Sequence, residues 1–420
     1  MATAAAASDG VLQYSNAYRW NILLLLSASQ MISHVDRVNL PAVAPVLIRQ
    51  FHYTPATVGL LLSAFSWAYT LALLPSGPFV DWVKARMGYV VADVIWSAAT
   101  VLSGVTAAFA PLACFRALVG VGQGPMIPSA QRILFETFPK EKRSSAVGMF
   151  FAGNKVGLAI GIPFATLILA KWGLPWVFYV TGAVGFLWLA WFLACYRGVG
   201  QRAHAASAIR WSTLLRYRNT WGIMLADIGY LYIYYVFINW LPGYLVLQRH
   251  MSVLKGSFVG MLSFLAGFVA TIAGGWLGDR MVRNGASVTR SRKVMVCGGL
   301  IMAIIFTVAG VYARETWTAV TMLTLALVGV SLATAAIQAL PVDIAPPHMV
   351  SSLVALFSFG GNVGASFAPA LTGLLITISG GFQLPLLVTA AIALVFGCGS
   401  LLFVVGSLDE RLEEPAGAGA

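Results

Sequence analysis

Charged residues are scarce in this chain, and their scarcity decides its broad class. Only 10% of its 420 residues are Asp, Glu, Lys or Arg, whereas 59% are apolar. In ordinary soluble domains about a quarter of the residues are charged. The composition therefore excludes a soluble globular protein and indicates one that crosses a lipid bilayer several times, since about 20 apolar residues span a bilayer as a helix.

Cysteine and histidine are also rare, and neither has the spacing of a metal site. The four cysteines all fall within apolar runs, so the sequence supports neither a disulfide framework nor a metal cluster. The five histidines are scattered, and the chain has no glycine-rich phosphate loop or nucleophile elbow. We therefore expect a protein that is not an enzyme and that uses no metal or organic cofactor.

Twelve apolar runs are long enough to cross the membrane as helices. They lie at about 19–43, 57–80, 89–110, 112–134, 145–169, 176–196, 219–245, 256–278, 294–313, 317–341, 351–377 and 385–406. The longest polar interruption separates the first six runs from the last six. The sequence predicts an all-α polytopic membrane protein with a tail at 1–18, six-helix bundles at 19–196 and 219–406, a central loop at 197–218 and a second tail at 407–420.

Basic residues outnumber acidic ones by 26 to 14, and they are not gathered in one nucleic-acid-binding patch. They concentrate in the even-numbered connections, at Lys84, Arg86, Lys140, Lys142, Arg143, Arg197, Arg202, Arg210, Arg216, Arg218, Arg280, Arg283, Arg290, Arg292 and Lys293. By the positive-inside rule these connections are cytoplasmic. We therefore expect a multi-pass protein of the cell inner (plasma) membrane, with both tails and the central loop in the cytoplasm and no nucleic-acid partner.

Two motifs recur at equivalent positions in the two halves of the chain. Residues 77–81 after the second run (Gly-Pro-Phe-Val-Asp) correspond to residues 275–280 after the eighth (Gly-Trp-Leu-Gly-Asp-Arg). Residues 153–157 in the fifth run (Gly-Asn-Lys-Val-Gly) correspond to residues 361–364 in the eleventh (Gly-Asn-Val-Gly). Transporters built from repeats hold their substrate near the bilayer midplane, where the repeats meet. The duplication therefore favours a transporter over a channel or a receptor.

Ionisable residues inside the apolar runs mark the expected site, because a charge near the bilayer centre must face a partner or a watered cavity. Arg37 and Arg116 are expected to bind a carboxylate, since a guanidinium offers it two parallel donors. The alternatives are a structural ion pair for Arg37 and, for Arg116, snorkelling to lipid headgroups. Asp36 is the expected proton carrier, because an anion that arrives at Arg37 changes the charge beside it. The alternative is that Asp36 is a permanently ionised partner of an arginine.

Two further ionisable residues extend this expected site. Lys155 in the fifth run adds a second cation, which suits a dicarboxylate or a longer sugar acid. Asp227 in the seventh run is expected to accept a proton or to pair with Lys155. The alternatives are snorkelling or a structural pair for Lys155 and a cytoplasmic-side helix contact for Asp227.

Four charged residues at the cytoplasmic ends of helices are predicted to act in gating. Asp81 with Arg86, and Asp279 with Arg280, occupy equivalent places in the two halves. An acid at a helix end can pair with basic loop residues while a gate is shut and release them when it opens. We therefore expect these pairs to latch the inner gate.

Seven short motifs, taken in order, resemble those of the major facilitator superfamily and, within it, of the anion:cation symporter branch. They are DRVNL at 36–40, SAFSWAY at 63–69, RALVG at 116–120 with Pro125 and Pro128, WLPGYL at 240–245, GDR at 278–280, DIAP at 343–346 and NVG at 362–364. The branch includes bacterial hexonate, hexuronate and aldarate permeases. The resemblance implies two rocking six-helix bundles, a functional monomer, and an organic anion that is carried with protons.

The resemblance and the expected cavity helices supply further site residues. Polyhydroxylated anions need hydrogen-bonding and aromatic groups, which are expected at Tyr69, Gln123, Asn154, Tyr234, Gln338, Ser358 and Asn362. Tyr69, Asn154 and Asn362 also match the family pattern. Many members of the branch have Glu where this chain has Gln123, and an amide cannot titrate, so the number of coupled protons stays open. Gln338 lies where sugar-acid permeases often have an aromatic residue, so the identity of the anion stays open too.

These observations predict a secondary transporter that imports an organic anion, such as a hexonate, hexuronate or aldarate, by proton symport. The alternatives are a uniporter or an anion exchanger for a dicarboxylate or an aromatic carboxylate, and a drug:proton antiporter. The basic site favours anions over drugs, and residues 157–163 lack the Gly-Pro pattern expected of antiporters. The expected partners are a small organic anion, the lipid bilayer and the coupling proton.

Overall fold

The computed structural model describes residues 15–196, 214–345 and 350–406. The described residues leave out four parts of the predicted architecture. These are most of the tail at 1–18, most of the central loop with Arg197, Arg202 and Arg210, Pro346 of the DIAP motif, and the tail at 407–420. All regular structure in the described part of the chain is helical. The prediction of an all-α protein is therefore confirmed.

The first half of the chain forms seven helices. They are α1 (Asn16–Gln50), α2 (Pro55–Val83), α3 (Ala85–Ser103), α4 (Phe109–Gln123), α5 (Met126–Thr137), α6 (Lys140–Trp172) and α7 (Leu174–Cys195). The predicted fourth span is therefore not continuous, because it breaks between α4 and α5 at Gly124 and Pro125. Proline has no N–H to donate and its ring crowds the preceding turn, which explains the break.

The second half forms six helices. They are α8 (Arg218–Gly243), which continues as a π-helical turn (Tyr244–Gln248), α9 (Val253–Arg283), α10 (Val288–Tyr312), α11 (Thr316–Ile344), α12 (Val350–Ser379) and α13 (Gln383–Ile392), which continues as a π-helix (Ala393–Val404). Each of these helices coincides with one of the last six predicted spans.

Ten helices of the described chain are long and apolar enough to cross a membrane. The other two predicted spans fall on α1 and on the α4–α5 pair. α1 has 35 residues but contains Asp36 and Arg37 within its apolar stretch. α4 and α5 have only 15 and 12 residues. These two spans, α1 and the broken α4–α5 pair, contain three of the charged residues predicted for the site, Asp36, Arg37 and Arg116.

Glycines on α6 let this helix approach α1 closely. A Cβ atom built on Gly157 would lie 2.9 Å from the Cβ of His34, and one on Gly161 would lie 2.6 Å from Cγ2 of Val38. Such distances are too short for real carbon atoms, so a side chain at either position would push the helices apart. Gly157 and Gly161, one helical turn apart on α6, therefore allow this helix to pack closely on the part of α1 that contains Asp36.

Contacts divide the chain into two compact units. Among the described residues, the first unit comprises 15–196 and 245–261, and the second comprises 214–244, 262–345 and 350–406. The core of the first unit includes an aromatic group in which the Tyr89 ring lies 5.2 Å from that of Trp188 and 5.4 Å from that of Phe192. In the second unit, α8 packs against α12 and the C-terminal π-helix.

Candidate functional site

Arg37 lies on α1 where this helix faces α4. Its Nε donates a 2.8 Å hydrogen bond to Oε1 of Gln123, and Nε2 of Gln123 donates a 3.3 Å hydrogen bond to the backbone carbonyl of Ser33. Gln123 is fully buried. Its amide therefore connects the Arg37 side chain to the α1 backbone one turn earlier and fixes the direction of the guanidinium.

Two aromatic rings of α2 lie against the face of the Arg37 guanidinium. Its Cζ lies 4.6 Å from the ring centre of Tyr69 and 5.2 Å from that of Phe65. A cation over an aromatic face is attracted by about 0.5–2 kcal/mol. This stacking engages the face of the guanidinium, whereas a carboxylate binds its in-plane N–H groups. Phe65 was missing from the predicted site, although it precedes Tyr69 by one helical turn in the SAFSWAY motif.

Arg116 on α4 is buried, with 1% of its surface exposed. Its Nη1 donates a 3.3 Å hydrogen bond to the backbone carbonyl of Asp36, and its Cζ lies 5.5 Å from the ring centre of Phe65. A snorkelling arginine extends toward the membrane surface, and Arg116 does not. Instead, α4 brings a second guanidinium to the same turn of α1 as Arg37.

The Asp36 carboxyl is directed toward α7. Asn39 Nδ2 donates a 3.2 Å hydrogen bond to Oδ1 of Asp36 and a 2.8 Å hydrogen bond to Oγ1 of Thr181 on α7. Consecutive residues of a helix point about 100° apart, so the side chains of Asp36 and Arg37 diverge and these two described residues form no ion pair. The cation that interacts electrostatically with the Asp36 carboxyl is Arg116.

A second carboxyl of the first unit, that of Asp93 on α3, was missing from the predicted site. It is fully buried and interacts electrostatically with Asp36. It lies within the third predicted span, at 89–110. Asp93 is an ionisable residue inside an apolar run, as Asp36 is, so the sequence contains the same signal for both residues.

Asn154 and Lys155 lie half-buried on α6. Lys155 interacts electrostatically with His34 of α1, whose Nδ1 forms a 2.8 Å hydrogen bond with the carbonyl of Gln30. Oδ1 of Asn154 is buried and has no hydrogen-bond partner in the described part of the chain. The fifth span thus adds a cation and a buried amide to the first unit.

Asp227 lies in the second unit between α8 and α12. Its carboxyl is buried against Gly361, at a place that even a single Cβ atom would fill. Oδ1 of Asp227 has no hydrogen-bond partner among the described residues. One turn later on α8, the hydroxyl of Tyr230 forms a 2.8 Å hydrogen bond with that of Thr334, and its ring stacks on Tyr234. Asp227 therefore contacts α12, and its roles as a proton acceptor or as the partner of Lys155 stay predictions.

The remaining predicted residues of the second unit differ in exposure. Nδ2 of Asn362 donates a 2.8 Å hydrogen bond to the carbonyl of Ser358 within α12. Tyr234 is buried, whereas Gln338 on α11 is exposed. These residues lie on three helices, and their side chains differ in how far they are exposed.

The sequence of this chain, whose apolar helices contain charged residues, matches a known protein family. The sequence profile described as the Major Facilitator Superfamily matches residues 26–289 and 285–419. This chain belongs to the Major Facilitator Superfamily. The protein is therefore a multi-pass membrane transporter and not an enzyme.

Relatives of this superfamily member agree with the resemblance to sugar-acid permeases. The D-galactonate transporter of Escherichia coli O6:H1 is 30% identical over 93% of this chain and 96% of its own length. The probable L-galactonate transporter of Escherichia coli K12 is 29% identical over 92% of this chain and 91% of its own length. A bacterial homologue of the human lysosomal transporter Spinster, solved in an inward-facing and unoccupied conformation, shares the fold with a TM-score of 0.80 at 19% identity, over 93% of this chain and 97% of that one.

The ion pairs of this superfamily member differ from the predicted ones. Asp81 Oδ1 lies 2.8 Å from Nη1 of Arg132 on α5, and Arg132 Nε lies 3.2 Å from Oε1 of Glu136. The predicted partner, Arg86, forms no ion pair with Asp81 among the described residues. The reason is that α5 brings Arg132 to the end of α2, a proximity that the order of residues along the chain does not reveal.

The second half also uses a different pair. Arg292 at the start of α10 lies 2.8 Å from Asp343 at the end of α11. Asp279 and Arg280 form no ion pair within the described residues, and the Arg280 guanidinium lies 5.1 Å from the ring centre of Trp276 instead. Asp343 belongs to the DIAP motif and Arg292 to the basic residues of a predicted connection, and their positions along the chain do not reveal that they form an ion pair.

Proposed function

We propose that this transporter imports a sugar acid or a closely related organic anion together with protons. The observation that carries the proposal is that the Arg37 and Arg116 guanidinium groups both lie against the Phe65 ring, at the turn of α1 that contains Asp36. Two guanidinium groups and one carboxyl leave an excess positive charge there, which one anionic group can neutralise. The two galactonate transporters among the relatives support a sugar acid as the substrate class.

The coupling to protons follows from the position of Asp36. Asp36 interacts with the Arg116 guanidinium, and a substrate carboxylate that binds Arg116 or Arg37 competes for the same positive charge. A bound anion therefore favours the protonated form of Asp36, because a like charge nearby disfavours the ionised carboxyl. By linkage, protonation of Asp36 favours anion binding to the same extent. Anion and proton are then bound and released together, which is symport.

Recognition of hydroxyl groups is assigned to the uncharged residues of each unit. In the first unit these are Tyr69 beside Arg37 and Asn154, whose buried Oδ1 has no hydrogen-bond partner among the described residues. In the second unit they are Tyr234, Gln338, Ser358 and Asn362. A buried acceptor without a donor is costly, and a substrate hydroxyl supplies the missing donor to Asn154.

One observation favours a second candidate function, exchange of anions without proton movement. Gln123 contacts Arg37 directly, and an amide at this place can bind a substrate but cannot release a proton. We further propose that the protein acts as a monomer in the plasma membrane with both termini in the cytoplasm, and that it needs no cofactor beyond the coupling proton.

Uptake into proteoliposomes tests the proposal. Labelled D-galactonate, a hexuronate, an aldarate, a dicarboxylate and an aromatic acid are offered with and without an inward proton gradient. Accumulation of a sugar acid that collapses with the gradient supports symport, whereas equal uptake with and without the gradient supports exchange or uniport. Arg37→Lys keeps the charge but loses the planar fork, so we expect uptake to fall by about 10-fold or more. The exposed Arg314→Lys serves as the matched control.

A further inference from the structure

Asp93 carries a carboxyl group that the proposed function leaves without a role. It is fully buried on α3, and among the described residues the Ser97 hydroxyl, one turn later on the same helix, is the hydrogen-bond donor that interacts with it. A buried ionised carboxyl with a single hydroxyl donor and no cation beside it is far more costly than a buried neutral one. Burial at this position therefore favours the protonated form of the Asp93 carboxyl during part of the transport cycle.

The α3 helix presents a buried polar row that begins at Asp93. Trp96, Ser97 and Thr100 follow at intervals of three, four and seven residues, so all four side chains share one face of the helix. The indole N–H of Trp96 and the hydroxyl of Thr100 are buried and have no hydrogen-bond partner among the described residues. From Asp93 to Thr100 the row is about 10 Å long, at 1.5 Å per residue.

The α7 helix packs directly against this row. A Cβ atom on Gly185 would overlap Oγ of Ser97 and would lie 3.1 Å from the Cβ of Ser97 and 3.5 Å from Nε1 of Trp96. Thr181 lies one turn earlier on α7, and its hydroxyl accepts a 2.8 Å hydrogen bond from Nδ2 of Asn39. The same Nδ2 donates a 3.2 Å hydrogen bond to the Asp36 carboxyl. The row on α3 and the Asp36 carboxyl thus border the same side of α7.

Asp36 on α1 is the charged group of another helix that acts on Asp93. The two carboxyls interact electrostatically, and Tyr89 is the titratable neighbour on α3 itself. α7 contains no charged residue. The single charge of α4, Arg116, interacts with Asp36 and Arg37.

The other charges on helices that pack against α3 are engaged elsewhere. On α2 and α5 these charges are Asp81, Arg132 and Glu136, which bind one another. Among the residues that the structure describes, Asp93 therefore has a carboxyl neighbour and no cation of its own. Two neighbouring carboxyls of this kind are rarely ionised together.

We propose that Asp93 is a second proton-binding carboxyl of the transport cycle, so that one anion is carried with two protons, on Asp36 and on Asp93. The proposal rests on the proposed proton symport. It assigns to Asp93 the titration that the amide of Gln123 cannot perform. A monovalent anion that moves with two protons transfers one net positive charge, whereas the same anion with one proton transfers none.

Dependence on membrane potential tests this charge count. Proteoliposomes with a fixed inward pH gradient take up labelled D-galactonate at zero potential and at 100 mV, inside negative, set by potassium and valinomycin. One net charge per cycle raises the equilibrium accumulation about 50-fold at 100 mV. We expect this increase for the wild type. In Asp93→Asn we expect accumulation driven by the pH gradient without any response to potential.

Controls separate this proposal from the proposed function. Asp93→Glu retains a carboxyl and restores the response to potential, whereas the exposed Glu315→Gln behaves as the wild type. A wild type that responds to the pH gradient but not to potential overturns the two-proton proposal alone, and so does an Asp93→Asn variant that still responds to potential. A wild type whose accumulation responds neither to the pH gradient nor to the potential overturns the proposed proton symport, and with it the role proposed for Asp93. Because the wild type alone yields the charge count, the test holds even where Asp93→Asn fails to fold.

Discussion

Replacing Gln123 by Glu changes the charge at the centre of the first unit with little change in shape. The amide accepts a 2.8 Å hydrogen bond from Arg37 and donates one of 3.3 Å to the carbonyl of Ser33. An ionised Glu keeps the acceptor, loses the donor and adds a negative charge. A protonated Glu recovers the donor and removes the charge. We therefore expect Gln123→Glu to make anion binding strongly dependent on pH.

The size of the effect follows from the distance between the charges. A substrate carboxylate on the far edge of the Arg37 guanidinium lies about 5 Å from the new carboxylate. At an effective dielectric constant of about 20, repulsion over this distance is about 3 kcal/mol. That energy corresponds to about 100-fold weaker binding while the introduced carboxyl is ionised. The loss disappears as falling pH protonates this carboxyl.

Equilibrium binding of the transported anion to purified protein at pH 5.5 and pH 8 measures this effect. We expect the dissociation constant of Gln123→Glu to exceed that of the wild type about 100-fold at pH 8 and to approach it at pH 5.5. Gln248→Glu, an exposed position, is the matched control. Equal affinities of Gln123→Glu and wild type at pH 8 would refute the placement of the anion on Arg37.

Three other predictions follow from the packing and the charges. Gly157→Ala places a Cβ 2.9 Å from that of His34 and should lower stability by about 1–3 kcal/mol, seen as a lower melting temperature than for Gly148→Ala, where α6 has open space. Asp36→Asn should retain anion exchange in a counterflow assay and accumulate less anion than the wild type under a pH gradient, because it loses one of the two proposed proton-binding carboxyls. Arg132→Gln should slow uptake more than Arg86→Gln, because Arg132 is the partner of Asp81; equal rates would contradict the latch.

Much of the fold was predictable because its cause is local in sequence. The cost of leaving backbone groups unpaired in lipid requires helices of about 20 apolar residues, and these can be counted without any tertiary information. The same reasoning selected Asp36, Arg37 and Arg116, since an ionisable residue in an apolar run is conspicuous by its type alone. The glycines of the repeated motif 153–157 were also visible, although their role in packing α6 against α1 was not.

Tertiary structure alone decided the partners of these residues. Sequence neighbours such as Asp36 with Arg37, or Asp279 with Arg280, diverge because consecutive helical side chains point about 100° apart. The contacts that form instead, such as Asp81 with Arg132, join residues on different helices. Their proximity depends on which faces of those helices pack together. The number of apolar spans and the type of charge inside them were therefore set by the sequence itself, whereas the position of each charge relative to the others arose only when the helices packed.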